Sequence, residues 1–238
     1  MYFLSDSATV LIEGGDLDVD IVFAACDFRL AANVETLTLL DGGHYDGAGN
    51  AGANLITGNS GDNRLTGLDG LDILHGGLGD DRLNGGNQND ALNGDDGDDA
   101  LLGGAGLDVL RGGDGDDTVT GGADRDNLGG GTGADVFVFA NLAHSAATGG
   151  AWDTVIDFTR GDDLIDLSRL DAKSTNTLPN DGFTFIADAA FGAVAGQLRF
   201  AVVGAYVLVQ MDVNGDGVAD STLRLNGLQS VGAADFIL

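Results

Sequence analysis

From Gly49 to Val138 the chain is ten consecutive nonapeptides with no insertion: GNAGANLIT, GNSGDNRLT, GLDGLDILH, GGLGDDRLN, GGNQNDALN, GDDGDDALL, GGAGLDVLR, GGDGDDTVT, GGADRDNLG and GGTGADVFV. Position 1 is Gly throughout. Position 6 is Asn54, Asn63, Asp72, Asp81, Asp90, Asp99, Asp108, Asp117, Asp126 and Asp135. Position 8 is Ile56, Leu65, Leu74, Leu83, Leu92, Leu101, Leu110, Val119, Leu128 and Phe137. Three columns held in phase over ten units mean a repeat architecture, in which a unit buries its apolar face only against its neighbours.

The columns fix the physics of one unit. Gly at position 1, often at 2, and at 4 permits positive φ and a close approach of backbone to an ion. The six-residue half reads as a turn whose carbonyls face inward. The other three residues read as a very short strand, its middle apolar residue pointing away from the face its neighbours occupy. Ten units alternating on two faces predict a flattened coil of about five turns, each stacked one strand spacing of ~4.8 Å on the last.

Charge narrows the function. The chain has 238 residues, 38 acids against 10 bases and a net charge of −28. Only Glu13 and Glu35 are glutamates; the other acids are aspartates. A nucleic-acid binder needs a basic face, which this chain lacks. An anionic membrane surface is an equally poor partner, and no stretch approaches the roughly 18 apolar residues of a membrane span. The 43% hydrophobic content excludes a purely solvated chain. A solvated acidic surface would not keep a nine-residue phase or choose Asp over Glu. The short Asp side chain suits a tight, carbonyl-rich cage for a hard cation. Calcium takes six to eight oxygens at roughly 2.3–2.6 Å, whereas zinc wants His or Cys. The repeat offers only His75, at a surface position. Cys26 is the sole cysteine, so no intrachain disulfide is possible. The opening residues have no basic region followed by a long apolar run, so no secretory signal peptide is expected there.

The nonapeptide resembles the RTX (repeats-in-toxin) motif G-G-x-G-x-D-x-U-x. The resemblance implies an all-β fold: a right-handed parallel β-roll, capped by N- and C-terminal β structure, with several Ca²⁺ ions held between loops of successive turns. It assigns the ligands to the side chains of Asp72, Asp81, Asp90, Asp99, Asp108, Asp117, Asp126 and Asp135, and to backbone carbonyls of the turns, among them those of Gly76, Gly79, Gly94, Gly97, Gly112 and Gly115. The departures fall unevenly. Alternate units sit on opposite edges of the roll, and one edge carries Gln88 and Asp124 in place of the fourth Gly and Leu71 and Leu107 at position 5. Weaker sites are expected near Gln88 and Asp124. At Asn54 and Asn63 the ligand charge is lower, and weak or empty sites are expected.

Residues 1–48 read as an N-terminal β cap or partial repeat, residues 49–138 as the roll, and residues 139–238 as a C-terminal β domain. The first part contains a loose acidic turn, Gly15 to Asp20, and strand-like runs over 20–24 and 35–40. The stretch from Phe28 to Leu39 resembles a segment that often precedes RTX blocks in secreted proteins. That likeness fits a plain cap or the C-terminal piece of a longer architecture. The last hundred residues resemble the C-terminal domain of serralysin-type secreted metalloproteases, on the runs 153–158, 162–168 and 196–200 and the loop after Met211. That loop has Asp212, Asn214 and Asp216 at the first, third and fifth places of an EF-hand and Gly217 at the sixth, but Leu223 where the bidentate acid belongs. With strand-like flanks it reads as a calcium-binding hairpin loop that also uses Asp220, or else as a polar turn without metal. Asp235-Phe236-Ile237-Leu238 is similar to the uncleaved C-terminal signal that type I exporters read.

No catalytic constellation stands out. There is no H-E-x-x-H and no G-x-S-x-G, and His44, His75 and His144 are scattered. Gly47 to Gly52 formally fits G-x-G-x-x-G, but no β-α-β context follows. The reading is a non-enzymatic, calcium-folded extracellular module, secreted from a Gram-negative bacterium with a type I exporter as partner. The alternatives are an accessory C-terminal module of a secreted protease, lipase or epimerase, and an adhesive protein binding a surface or polysaccharide. A row of exposed aromatics would mark the adhesive; the repeat offers only Phe137 and Phe139 at its end.

Overall fold

The computed structural model describes residues 1–5, 19–141, 152–173 and 181–238. Gly15 to Asp18 of the acidic turn and His144 lie outside them. Among the described residues the fold is all-β, a parallel solenoid of about seven turns with no α-helix. Two sheets, of thirteen and nine strands, form its faces. Successive strands alternate between the sheets, so partners in one sheet lie eighteen residues apart through the repeat, as in Leu74↔Leu92 and Leu83↔Leu101.

The position-8 side chains form two facing columns, each residue 0–2% exposed. Both columns outrun the ten nonapeptides. In the larger sheet the column begins at Val22 and Leu37, passes Ile56 to Leu128, and continues through Val155, Leu225 and Val207. In the smaller it runs from Phe28 through Gly47 to Leu65 and ends at Ile165 and Phe236. At Gly47 the missing side chain is replaced by Leu65 and Leu37, whose methyls would lie 3.1 and 3.2 Å from a Cβ placed there. The flanking sequences thus continue the coil on both sides, which is why it has more turns than the ten units alone provide.

Eight strands of the repeat, from Arg64–Asp69 to Asn127–Thr132, have six residues instead of the expected three. Pairing resumes after the position-1 glycine: Asn93↔Arg111 is followed by Asp95↔Gly113. Beyond the repeat the parallel stack changes to antiparallel strands, Gln197–Val203, Tyr206–Asp212 and Ser221–Asn226. The chain end is built in: Phe236–Ile237 pairs with Leu164–Asp166 at the edge of the smaller sheet.

Candidate metal centre

The short turns between the strands stack along the two edges of the roll, and the position-6 residues at their ends form a ladder on each. Along one edge the backbone N–H of Asn54 donates to Asp72 Oδ1 (2.8 Å), that of Asp72 to Asp90, Asp90 to Asp108, and Asp108 to Asp126. Along the other, Asn63, Asp81, Asp99 and Asp117 donate to Asp81, Asp99, Asp117 and Asp135 at 2.6–3.0 Å. Each carboxylate is thereby pinned by one oxygen to the turn before it.

The other oxygen has no such partner. Oδ2 of all eight, Asp72, Asp81, Asp90, Asp99, Asp108, Asp117, Asp126 and Asp135, is buried with no hydrogen-bond donor. A buried carboxylate oxygen without a donor is costly unless a cation meets it. Burial holds these groups well above the ordinary carboxylate range: Asp72, Asp99, Asp108 and Asp135 to about 6, and Asp81, Asp90, Asp117 and Asp126 to about 7. The backbone N–H bonds pull the other way but do not win.

What surrounds Oδ2 is oxygen. A Cβ on Gly94 would overlap Asp99 Oδ2 and lie 2.5 Å from the Gly112 carbonyl oxygen of the next turn. Gly76 stands in the same relation to Asp81 Oδ2 and the Gly94 carbonyl oxygen (2.5 Å), and Gly67 to Asp72 Oδ2 and the Gly85 carbonyl oxygen (2.6 Å). The glycine column therefore exists because a carboxylate and a carbonyl converge where a side chain would begin. Among the described residues no three His, Cys, Asp or Glu side chains cluster. Carbonyls must then supply most of a cation's oxygens, a donor set that fits Ca²⁺ and not Zn²⁺. Gly79, Gly97 and Gly115, at position 4, take φ of +101° to +135°, which turns the loop backbone toward the neighbouring turn. Gln88 and Asp124 hold the same left-handed conformation at φ +76° and +75° without being glycine.

The first two units are built differently. Asn50 Nδ2 donates to the carbonyls of Ala31 and Val34, both at 2.7 Å. Asn59 Nδ2 donates to those of Leu40 (2.8 Å) and Gly43 (3.0 Å). Asn54 Nδ2 adds a bond to the Val34 carbonyl, and Asn63 Nδ2 one to Asn59 Oδ1. Carboxamide N–H groups here join oxygens of neighbouring turns. The backbone changes with them: position 2 has positive φ in every later unit, from Leu68 to Gly131, but not at Asn50 or Asn59.

Two ladder members escaped the sequence reading. Asp153 Oδ1 accepts the Asp126 N–H (2.9 Å) and Asp163 Oδ1 the Asp135 N–H (3.1 Å), both carboxylates buried. Burial pushes Asp153 up to about 8 and also raises Asp163. Their signal is the D-x-U triplet, Asp153-Thr154-Val155 and Asp163-Leu164-Ile165, hidden by spacings of 27 and 28 residues in place of 18. The loop after Met211 is closed by its own bonds. Both oxygens of Asp212 accept N–H donors, from Gly215 and Gly217. Asp220 accepts from Val213 and Asn214, Asn214 Oδ1 from the Asp216 N–H, and Asp216 Oδ1 from the Val218 N–H.

Residues 71–238 match the family described as Peptidase M10 serralysin C terminal. Residues 48–83 match the RTX calcium-binding nonapeptide repeat. No curated protein matches the chain. Among solved structures, the AlgE6R2 subunit of the Azotobacter vinelandii mannuronan C5-epimerase is 26% identical, with a TM-score of 0.47, over 64% of this chain and 90% of that one. The AlgE6R3 subunit of the same enzyme is 26% identical, with a TM-score of 0.33, over 66% and 77%. The chain belongs to the serralysin C-terminal family and carries RTX calcium-binding repeats.

Proposed function

We propose that the chain is a non-catalytic module that stays extensible where calcium is scarce, leaves a Gram-negative cell through a type I exporter, and folds outside on binding calcium. The eight donor-less Oδ2 atoms carry this reading. Carboxylates ~5 Å apart repel by about 0.8 kcal/mol in water and about 3 kcal/mol at an effective dielectric of 20. In the repeat block 17 acids face 4 bases. A cation between the turns reverses the sign of each contact, so its binding energy becomes folding energy. The position-6 aspartates and the glycine carbonyls beside them are the proposed ligands. The loop Asp212–Asp220 is a secondary proposed site, since its carboxylates already accept backbone donors.

The chain end supports the order of events. Asp235 is buried and accepts from Arg160 Nε (2.9 Å), and Phe236 is locked into the sheet edge. A signal at Asp235–Leu238 would be legible only before folding. A second reading makes the chain the accessory part of a secreted enzyme, which the C-terminal nature of its peptidase family favours. Circular dichroism in chelator and in millimolar calcium at pH 7 tests the main reading. It expects most of the β signal to be lost in the first, with what remains confined to the asparagine turns, and a full β spectrum in the second; a full β spectrum in chelator would refute it.

A further inference from the structure

The outer face of the thirteen-stranded sheet changes character near the last turns of the coil. Asn127, Thr154 and Arg224 follow one another in register across three neighbouring strands. Their partners in sequence, Leu128, Val155 and Leu225, are buried on the inner face, so these three point outward. With Arg125, Trp152 and Asn226 they line a cavity of about 300 Å³.

The charge in this cavity is opposite in sign to that of the molecule as a whole; Arg64 and Arg82 line another cavity, but with no aromatic side chain beside them. In a chain with a net charge of −28, two guanidiniums line one cavity, and neither forms an ion pair among the described residues. Arg224 lies over the Tyr206 ring, 4.2 Å from its centroid, which fixes its plane. Arg224 Nε and Trp152 Nε1 are buried without hydrogen-bond partners. Buried donors left unpaired by a protein are met by solvent or by a ligand. Guanidinium forks match a carboxylate. The Asn127 and Asn226 carboxamides and the Thr154 hydroxyl match ring hydroxyls, and an indole suits the apolar face of a ring.

We propose that this cavity binds an acidic sugar unit, a pyranose carrying one carboxylate. The volume sits at the small end of ligand sites and suits one ring, not a long chain. The amides and hydroxyl exceed what a bare anion would use, and the strongly negative protein field opposes a more highly charged phosphate ester.

Trp152 is the only tryptophan, so its emission reports on this cavity alone. The full chain in saturating calcium is titrated with methyl glucuronoside, methyl glucoside and glucose 6-phosphate, a phosphate that stays in solution with calcium. The proposal expects a saturable emission change with the glucuronoside and at least tenfold weaker responses to the other two. It also expects at least tenfold weaker glucuronoside binding in Arg224→Gln with the β spectrum intact. If that variant does not fold, Arg125→Gln, at an exposed side chain, takes its place. No response to the glucuronoside by the folded protein would overturn the proposal. So would an equal response to the glucoside, equal binding of glucose 6-phosphate, or unchanged glucuronoside binding in the folded variant.

Discussion

At Asn50 and Asn59 a neutral NH₂ group joins two carbonyl oxygens of the preceding turn. One or more turns further on, position 2 is Gly, Leu or Asp at positive φ, and a buried carboxylate oxygen faces carbonyls with no donor supplied by the protein. The same task, holding oxygen-lined turns together, is done covalently tethered and uncharged in the first region and left to a cation in the second. The first region carries its cross-link in the sequence; the second depends on what the solution contains.

The largest expected difference between them concerns glycine. At Gly97 φ is +132° and a Cβ would overlap the Gly79 carbonyl oxygen. At Gly52, the same position in the first unit, the nearest atom to a Cβ is Asn50 Oδ1 at 3.2 Å. Gly97→Ala should cost at least about 3 kcal/mol in calcium, and Gly52→Ala under about 1 kcal/mol. Denaturant unfolding measures both, and equal losses would erase the distinction.

A second test converts one region into the other. Asn59→Asp removes two donors from the Leu40 and Gly43 carbonyls and should cost about 1–3 kcal/mol in chelator, a loss that calcium reverses. The paired change Asp99→Asn with Asp117→Asn should lower the number of ions bound and stabilise the metal-free chain at pH 7. Calorimetric titration reads both. An Asn59→Asp chain that calcium cannot restore would contradict the equivalence of amide and cation.

Acid separates the regions too. The ladder carboxylates are raised by burial to about 6–7, above their unfolded value of ~3.9. The folded state therefore binds more protons, so stability without metal is fully present in acid and is lost as pH rises through 6–7. In chelator, β structure should increase from pH 7 to pH 5. With calcium, protons compete for the same oxygens, so the calcium midpoint should rise over the same interval. A midpoint independent of pH would exclude these carboxylates as ligands.

The smallest effect belongs to the two turns that hold a residue other than glycine at position 4 with positive φ. Gln88→Gly and Asp124→Gly should each stabilise the calcium-loaded protein by about 1 kcal/mol, because φ near +75° costs a glycine little. Thermal midpoints in saturating calcium check this.

Much of this was legible because a solenoid writes its contacts at a fixed interval: the position-8 column names the core and the position-6 column names the ladders. What stayed hidden broke the interval or used a different chemistry. Asp153 and Asp163 continue the ladders across insertions that shift them out of phase. Phe28 and Leu37 continue the core one residue out of the nine-residue frame, and Gly47, in frame, has no side chain to show it. Asn54 and Asn63 read in sequence as lowered ligand charge, but the position-2 asparagines carry the cross-link, and an amide donor leaves no trace in a charge count. The six-residue strands were missed because Gly-Gly-x reads as turn, although its backbone rejoins the ladder after one residue.

Amide hydrogen exchange at pH 7, in chelator and in calcium, tests the central contrast most directly. The position-6 N–H groups of Asp72 to Asp117 are bonded to carboxylates that need a cation, and calcium should slow their exchange by orders of magnitude. Around Asn50 and Asn59 the change should be much smaller, because the cross-link there is already present. Equal protection of the aspartate turns with and without calcium, or the same gain at the asparagine turns as at the aspartate turns, would contradict the account.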